Sequence, residues 1–254
     1  MLSPKKMILL FIISFGIQTP VYTETAEQRF QDSINLYDQG HYKEASEQLN
    51  SLLKEGLING HILYNLGNSL YRDSRRGAAI SAWLAARQLL PRDPNIQANL
   101  VYASQENKDQ LSWERQDGLL QTFAFWMPWL SERELFLIAS VVLIISLLLF
   151  IGSLLKPDIV TLRNISRAWA VCSVFLFIAL AITIQNRRSP AAITSGQAQV
   201  HSAPGERNTV IFELHEGAPV NIDHEESDWY RISLSDGKTG WIHSRHLSYF
   251  KLHS

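Results

Sequence analysis

The sequence LFLIASVVLIISLLLFIGSLL occupies residues 135–155, and AWAVCSVFLFIALAITI occupies residues 168–184. Neither run contains an acidic or a basic residue. At a rise of about 1.5 Å per residue, helices of these lengths extend about 31 and 26 Å, against roughly 30 Å for the hydrocarbon core of a bilayer. Two buried helices of a soluble protein are the alternative, but such helices usually keep a polar face. The two runs therefore predict a transmembrane helical hairpin that contacts membrane lipid.

The segment between the two runs, residues 156–167, predicts how the hairpin is oriented. It carries three basic residues, Lys156, Arg163 and Arg167. Basic residues beside membrane spans are enriched on the cytoplasmic side, so we expect a cytoplasmic loop here and both flanking arms outside the cytoplasm. Arg187 and Arg188 follow the second run and favour the opposite orientation. The three loop residues, together with an N-terminal export signal, outweigh them.

The export signal is predicted for residues 1–23. Lys5 and Lys6 precede an apolar run at residues 7–17, which is too short to span a membrane. A charged start followed by a short apolar run is typical of a secretory signal peptide. We therefore expect the arm that follows to lie in the periplasm of a bacterium, anchored in the inner membrane.

Composition excludes several classes of function. The net charge is −1, and no basic stripe marks a nucleic-acid partner. The single cysteine, Cys172, lies within the second apolar run, so neither a disulfide framework nor a cysteine metal site is predicted. We find no nucleophile–base pair and no phosphate-binding loop, so we predict a protein that is not an enzyme and has no cofactor.

The first arm, residues 24–118, repeats with a period of 34 residues. When residues 26–59 are laid over residues 60–93, aromatic and small residues coincide, as Phe30 with Tyr64 and Ala45 with Ala79. Asn65 recurs as Asn99, which indicates one further helix. The second unit reads LYNLGN at residues 63–68, followed by Ala79, Ala86 and Pro91. This pattern resembles the tetratricopeptide repeat and predicts an all-α arm of two units and a capping helix. A generic pair of helical hairpins is the alternative.

The resemblance to tetratricopeptide repeats implies a concave groove that binds a segment of a partner protein. The lysines that clamp an acidic chaperone tail are absent from the corresponding positions, so such a tail is not the expected ligand. The groove positions implied by the resemblance come from both units and the cap: Phe30, Ile34, Tyr37, Tyr64, Asn65, Asn68, Tyr71, Asn99 and Tyr102.

Aromatic residues concentrate in residues 119–134, directly before the first apolar run. They are Phe123, Phe125, Trp126 and Trp129. Aromatic side chains are enriched where a membrane meets water, so we predict an interfacial segment here. A protein-binding patch is the alternative.

The second arm, residues 198–254, changes to alternation of apolar and polar residues. A linker containing proline, serine and glycine is predicted before it, at residues 185–197. The arm contains DWYRI at residues 228–232 and DGKTGWI at residues 236–242, which indicate a strand, a hairpin turn and the next strand. These phrases resemble the bacterial SH3-like domain and predict a small all-β barrel.

The SH3 resemblance implies a ligand groove. The first tryptophan of the phrase lines the groove of eukaryotic SH3 domains, and here it is Trp229. The proline and tyrosine expected after the next strand are replaced by His243 and His246, so proline-rich ligands are not expected. We expect Trp229 to be exposed and Trp241 to be buried. The spacing of the two histidines also fits a metal, but no carboxylate or cysteine motif accompanies them, so we predict no metal site.

Together these parts predict a multidomain membrane protein that resembles the BatE proteins of the Bacteroides aerotolerance operon. That resemblance implies a scaffold that works with membrane proteins carrying von Willebrand A domains, in a system associated with MoxR-type ATPases and envelope stress. The alternative function is a cell-wall sensor whose SH3-like arm binds peptidoglycan. A hydrolase is a third class, for which the sequence offers no catalytic dyad.

Overall fold

The computed structural model describes residues 25–109, 111, 130–185 and 189–252. These residues form seven α-helices, followed by a seven-stranded antiparallel sheet with a short 3₁₀ helix. The predicted signal peptide lies outside the described residues, and so does most of the predicted aromatic segment.

The first five helices form an array, which we call the helical array. Its helices are α1 (Ala26–Asp38), α2 (Tyr42–Lys54), α3 (Gly60–Arg72), α4 (Arg76–Leu89) and α5 (Pro94–Glu106). Helices α1, α3 and α5 begin 34 residues apart, and so do α2 and α4. Thr25, Asn59 and Asp93 cap the starts of the odd-numbered helices with their side-chain oxygens. The helix starts therefore recur with the period found in the sequence.

Small residues allow the helices of the array to approach closely. Ala45 and Ala79 are fully buried, and each lies near the start of the second helix of its unit. A Cβ atom added to Gly67 would lie 2.4 Å from the indole of Trp83, so only glycine fits against that ring. The Trp83 indole N–H donates a hydrogen bond to Asn68 Oδ1 at 3.1 Å, which satisfies its polar atom inside the core.

Two long helices follow, α6 (Glu132–Leu155) and α7 (Val160–Gln185), and they pack against each other. Both are long and apolar enough to cross a membrane. Only 17% of the most apolar part of each helix is buried, whereas a core helix of a soluble domain would be mostly buried. Three of the buried positions are small serines, Ser146, Ser166 and Ser173.

The prediction of a twelve-residue loop between these helices is wrong. Helix α7 begins at Val160, so four residues connect the two helices, and Arg163 and Arg167 lie on the first turns of α7. Loss of apolar character marks the end of a membrane-compatible run, but it does not mark the end of a helix, because arginine is a good helix former. Helix α6 likewise begins before the apolar run, where Ser131 and Glu134 form a capping box.

The sheet contains β1 (Ser189–Ile193), β2 (Gln197–His201), β3 (Val210–His215), β4 (Pro219–Glu226), β5 (Trp229–Ser233), β6 (Thr239–His243) and β7 (Leu247–Tyr249). The strand order is β3-β2-β6-β5-β4-β1-β7. Val200, Ile232 and Ile242 are fully buried in its core. The 3₁₀ helix Ser244–His246 connects β6 to β7.

The prediction of a linker at residues 185–197 is also wrong, because this segment contains strand β1. Ala191, Ala192 and Ile193 are fully buried, and β1 pairs with both β4 and β7. Both faces of β1 are covered, one by the sheet core and the other by helix α4. A strand buried on both faces shows no alternation of apolar and polar residues, which is why the sequence pattern missed it.

The helical array and the sheet share an extensive interface. Helix α4 packs against β1 and β7, and Ala192 belongs to the core of the array. Ser81 Oγ donates a hydrogen bond to the carbonyl oxygen of Ser248 at 2.8 Å. Asn107 Nδ2 donates to the carbonyl oxygen of Gly217 at 2.8 Å. The array and the sheet are thus held together by a common core and by partly buried hydrogen bonds.

Both of these parts lie at the same end of the α6–α7 hairpin. Arg92, between α4 and α5, forms an ion pair with Glu134 in the first turn of α6. Strand β1 begins four residues after the end of α7. Because the array and the sheet also contact each other, a membrane crossed by both helices would have both parts on one side.

Candidate ligand cleft on the antiparallel sheet

Strands β5 and β6 place two tryptophans on the outer face of the sheet. Tyr230, Ile232 and Ile242 point into the core, so the alternate residues of these strands point outward. The register pairs Trp229 with His243 and Arg231 with Trp241. Paired residues share a face, which brings Trp229 and Trp241 to the same outer surface.

A cleft of about 500 Å³ opens beside Trp229 on this outer face. Strand β2, the loop before β3, strand β6 and the 3₁₀ helix all contribute to it. Its lining residues are Gln197, Gln199, His201, Glu206, Trp229, His243, Arg245 and His246.

The indole of Trp229 is held between two imidazoles. The ring of His201 meets it edge-on, at 90° and 5.3 Å between centroids. The ring of His243 lies 5.4 Å away on the neighbouring strand. His201 is buried, and its Nδ1 donates to the carbonyl oxygen of Asn208 at 2.9 Å, which fixes the ring. Trp229 is therefore positioned by its neighbours before any ligand arrives.

An ion pair crosses the rim of the cleft. Arg245 donates to Glu206 Oε1 at 2.7 Å, joining the 3₁₀ helix to the loop before β3. The Nε of Arg245 also donates to His246 Nε2 at 3.1 Å. Since an arginine can only donate, His246 Nε2 carries no proton, and the proton of the neutral ring is on Nδ1, facing Ser195 Oγ at 2.9 Å.

The charge state of His246 follows from these contacts. Burial lowers the pKa of His246 below its usual value, and the electrostatic effects of the neighbouring Arg245 and His243 lower it further. The carboxylate of Glu206 opposes this effect. His246 is therefore neutral at pH 7, and the formal charges of Arg245 and Glu206 balance each other at the rim.

Residues 196–248 match the Bacterial SH3 domain family. No curated protein matches the chain. The match covers β2 to the first residues of β7, so β1 precedes it. Because the match covers most of the seven-stranded sheet, we use the name bacterial SH3 domain for the whole sheet, residues 189–252.

The predicted groove of the bacterial SH3 domain corresponds to this cleft. The structure brings Trp229, His243 and His246 together along its wall. The expected difference between the two tryptophans is wrong, because Trp229 and Trp241 are both half-buried on the outer face. Trp241 follows Gly240, whose missing side chain leaves room for Val200 and Ile211, so it is Gly240 that faces inward.

Sequence reasoning missed the other residues of the cleft. Gln197, Gln199 and His201 alternate along β2. The sequence therefore contained a pattern from which their position on one face could have been predicted. Glu206 and Arg245 are 39 positions apart, and no local pattern connects them.

The structure does not favour the metal alternative for His243 and His246. Both nitrogens of His246 already have partners, Arg245 and Ser195. Among the residues that the structure describes, no group of three or more histidine, cysteine, aspartate or glutamate side chains is arranged to hold a metal ion.

Four of the predicted partner-binding residues meet on one side of the helical array. Asn99 Nδ2 donates to Asn68 Oδ1 at 2.9 Å, which links α5 to α3. The rings of Tyr71 and Tyr102 contact each other edge-on at 6.2 Å, and Tyr102 is 56% exposed. We call Asn68, Tyr71, Asn99 and Tyr102 the array face.

Tyr71 has a constrained hydroxyl within the array face. It donates to Glu106 Oε2 at 2.7 Å. Burial and this acidic partner raise the pKa of Tyr71 to about 12. Tyr71 is therefore a neutral donor at physiological pH, and Tyr102 supplies the more accessible ring.

The remaining predicted groove residues are not part of this face. Phe30 and Tyr64 pack against the core of the array. Tyr37 contacts the ring of Tyr42 at 5.2 Å, and Ile34 is half-buried. Asn65 Nδ2 donates to the carbonyl oxygen of His61 within its own helix, so its donor is already engaged.

Proposed function

We propose that this protein is a membrane-anchored binding protein, not an enzyme, and that its bacterial SH3 domain binds the peptidoglycan of the cell wall. The observation that carries the proposal is the cleft, where an indole, three imidazoles and two amides line one concave surface on a domain of this family. The volume of the cleft, about 500 Å³, lies within the range of small-molecule ligand sites.

The placement of the domain supports an envelope function. In our proposal α6 and α7 cross the cytoplasmic membrane, and the array and the bacterial SH3 domain lie together outside the cytoplasm. Lys156, Arg163 and Arg167 cluster near the tight turn of the hairpin, which favours that turn on the cytoplasmic side. The cleft would then face the periplasm, where peptidoglycan is found.

The chemistry of the cleft supports binding rather than hydrolysis. Ser195 and His246 are in contact, but the His246 nitrogen that faces Ser195 is the protonated one. A histidine can activate a serine only by accepting its proton. Because Arg245 occupies the other nitrogen, this pair cannot act as a nucleophile and base in the arrangement seen here.

Retention on purified sacculi tests the proposal. The full chain in detergent should sediment with sacculi, and Trp229→Ala should weaken retention about tenfold or more, as expected for loss of a central aromatic contact. Tyr102→Ala, an aromatic truncation on the array face, is the matched control and should be retained like the wild type. Absence of the wild-type chain from the sacculus pellet would reject wall binding.

A second function, a BatE-like scaffold, is favoured by the array face. Its tyrosines and asparagines lie on helices that repeat every 34 residues, as expected for tetratricopeptide units. By the resemblance, the partners would be membrane proteins with von Willebrand A domains in an aerotolerance or envelope-stress complex.

Crosslinking in native membranes followed by mass spectrometry tests this second function. Tyr102→Ala should reduce recovery of the partner, and Trp229→Ala should leave it unchanged. The two variants thus distinguish the scaffold from the wall-binding protein, since each should affect one activity only. Recovery that is equal for wild type and Tyr102→Ala would remove the array face as the partner site.

A further inference from the structure

We infer that the bacterial SH3 domain recognises the uncharged, N-acetylated glycan strand of the wall, and that the bound strand extends from Trp229 to Trp241. The inference rests on the proposed wall binding and names the part of the wall that is bound.

The registers of four strands define a second ligand surface next to the cleft. On the outer face, His201 pairs with Trp241, Trp241 with Arg231, and Arg231 with His224, which makes one row across β2, β6, β5 and β4. The adjacent row contains His243, Trp229 and Glu226. The ligand surface therefore extends beyond the cleft along the outer face of the sheet.

Trp229 and Trp241 are diagonal neighbours in these two rows. Diagonal neighbours on adjacent strands are about 7–8 Å apart, so one extended sugar strand can contact both indoles. The two indoles lean in different directions, Trp229 towards His201 and Trp241 towards His224 at 6.1 Å. Each indole thus forms its own platform, one in the cleft and one beside it.

The charge of the cleft selects against an anionic ligand. Arg245 is neutralised by Glu206 at 2.7 Å, and His246 is held neutral by the donation from Arg245. A phosphate or carboxylate that approached Arg245 would be repelled by the carboxylate of Glu206, which lies 2.7 Å from the guanidinium. The row of Trp229 ends at a second acidic residue, Glu226.

The polar groups of the cleft suit hydroxyl and amide partners. His243 Nδ1 accepts from the backbone N–H of Arg245 at 3.3 Å, so the proton of its neutral ring is on Nε2 and can be donated. The side-chain amides of Gln197 and Gln199 donate to Glu213, which leaves their carbonyl oxygens as acceptors. Sugar C–H groups carry partial positive charge and pack on the negative face of an indole, while N-acetyl and hydroxyl groups use such donors and acceptors.

Competition on sacculi with defined probes tests the inference. For the full chain in detergent, an N-acetylglucosamine hexamer should displace the protein from sacculi, while a free stem peptide and poly(glycerol phosphate) should not. Retention should change less than twofold between low and high salt, because an uncharged ligand is not screened. Displacement by the stem peptide but not by the hexamer, or a large loss of retention in salt, would overturn the glycan assignment and leave wall binding intact.

Variants of Trp241 test the second platform. Trp241→Ala should weaken binding of the hexamer at least fivefold and change binding of the dimer little, whereas Trp229→Ala should weaken both. Thr239→Ala, on the same face of β6 one position further from the cleft, is the matched control. Equal affinity of Trp241→Ala and wild type for the hexamer would overturn the extended site. Failure of the wild type to bind sacculi at all would instead reject the proposed function.

Discussion

Gly77, in the first turn of α4, lies against the carbonyl oxygen of Ile193 on β1, so closely that an added Cβ atom would be 2.0 Å from that oxygen. The same turn receives a contact from the sheet, because the Gly77 amide donates to Glu216 Oε1 at 3.3 Å. No other residue type fits at this position without moving a strand. The helical array and the bacterial SH3 domain therefore contact each other directly through backbone atoms.

The first prediction concerns this contact. Gly77→Ala should destabilise the full chain by about 1–3 kcal/mol, the usual effect of overpacking a buried site. Helix propensity acts in the other direction, since alanine stabilises a helix relative to glycine by up to about 1 kcal/mol. Because the two effects have opposite signs, a lower midpoint of thermal unfolding, followed by circular dichroism in detergent, would be caused by overpacking at the interface.

Gly196→Ala is the control for Gly77→Ala. An added Cβ atom at Gly196 meets nothing within 4 Å, and the residue lies in the turn between β1 and β2. Its midpoint should match the wild type. Unchanged stability of Gly77→Ala would contradict a fixed interface, and the array and the sheet would have to be treated as independent parts.

The second prediction concerns the crossing of helices within the array. Ala79 is fully buried, and Ala79→Leu should lower the free energy of unfolding by about 1–3 kcal/mol, because the added atoms have no space. Ala98→Leu, on the exposed side of α5, makes the same chemical change in water and should have little effect. Chemical denaturation of the full chain compares the two. Equal stability of the two variants would show that the repeat register proposed from the sequence is wrong.

The third prediction concerns pH. His246 has a lowered pKa, so the unfolded chain takes up a proton at higher pH than the folded chain does. The stability that comes from the neutral ring is fully present above about pH 6.5 and is lost as the pH falls through the lowered folded pKa. The urea concentration at the midpoint of unfolding, followed by tryptophan fluorescence, should therefore decrease as the pH is lowered from 7.5 to 5.

His246→Gln tests whether this residue is the cause. Glutamine can accept from Arg245 but does not titrate in this range, so the decrease with falling pH should become smaller. The same slope in His246→Gln and in the wild type would assign the pH dependence to another group.

Much of this architecture could be predicted because its signals are local. The 34-residue recurrence of Tyr64, Asn65 and Ala79 depends on positions within single helices, and the helix starts recur with that period. The phrases around Trp229 and Trp241 each describe a strand and its turn, so three cleft residues were found. Apolar runs likewise indicated both long helices, although the charged start of α7 was assigned to a loop and the charged start of α6 to the interfacial segment.

The features that were missed depend on residues far apart in the chain. Strand β1 shows no alternation because α4 covers the face that would otherwise be polar. The rim of the cleft depends on Glu206 and Arg245, and the interface depends on Ser81 and Ser248, which are separated by 167 positions. A single sequence carries no periodicity that connects such pairs.

The last prediction is the topology, on which the proposed functions depend. A shared core requires the helical array and the bacterial SH3 domain to be on one side of the membrane, and the basic residues near the hairpin turn favour that turn in the cytoplasm. With Cys172→Ser as background, three exposed positions can be given a single cysteine each: Gln39→Cys in the array, Asp158→Cys in the turn and Lys238→Cys in the sheet. A membrane-impermeant maleimide applied to cells with a permeabilised outer layer should label the first and third and leave the second unlabelled.

Labelling of Asp158→Cys alone would show that the orientation is the opposite one, with the cleft in the cytoplasm, away from the wall. Labelling of only one of the two outer positions would mean that α7 does not span, and it would also contradict the contact between Gly77 and Ile193, since residues on opposite sides of a bilayer cannot touch.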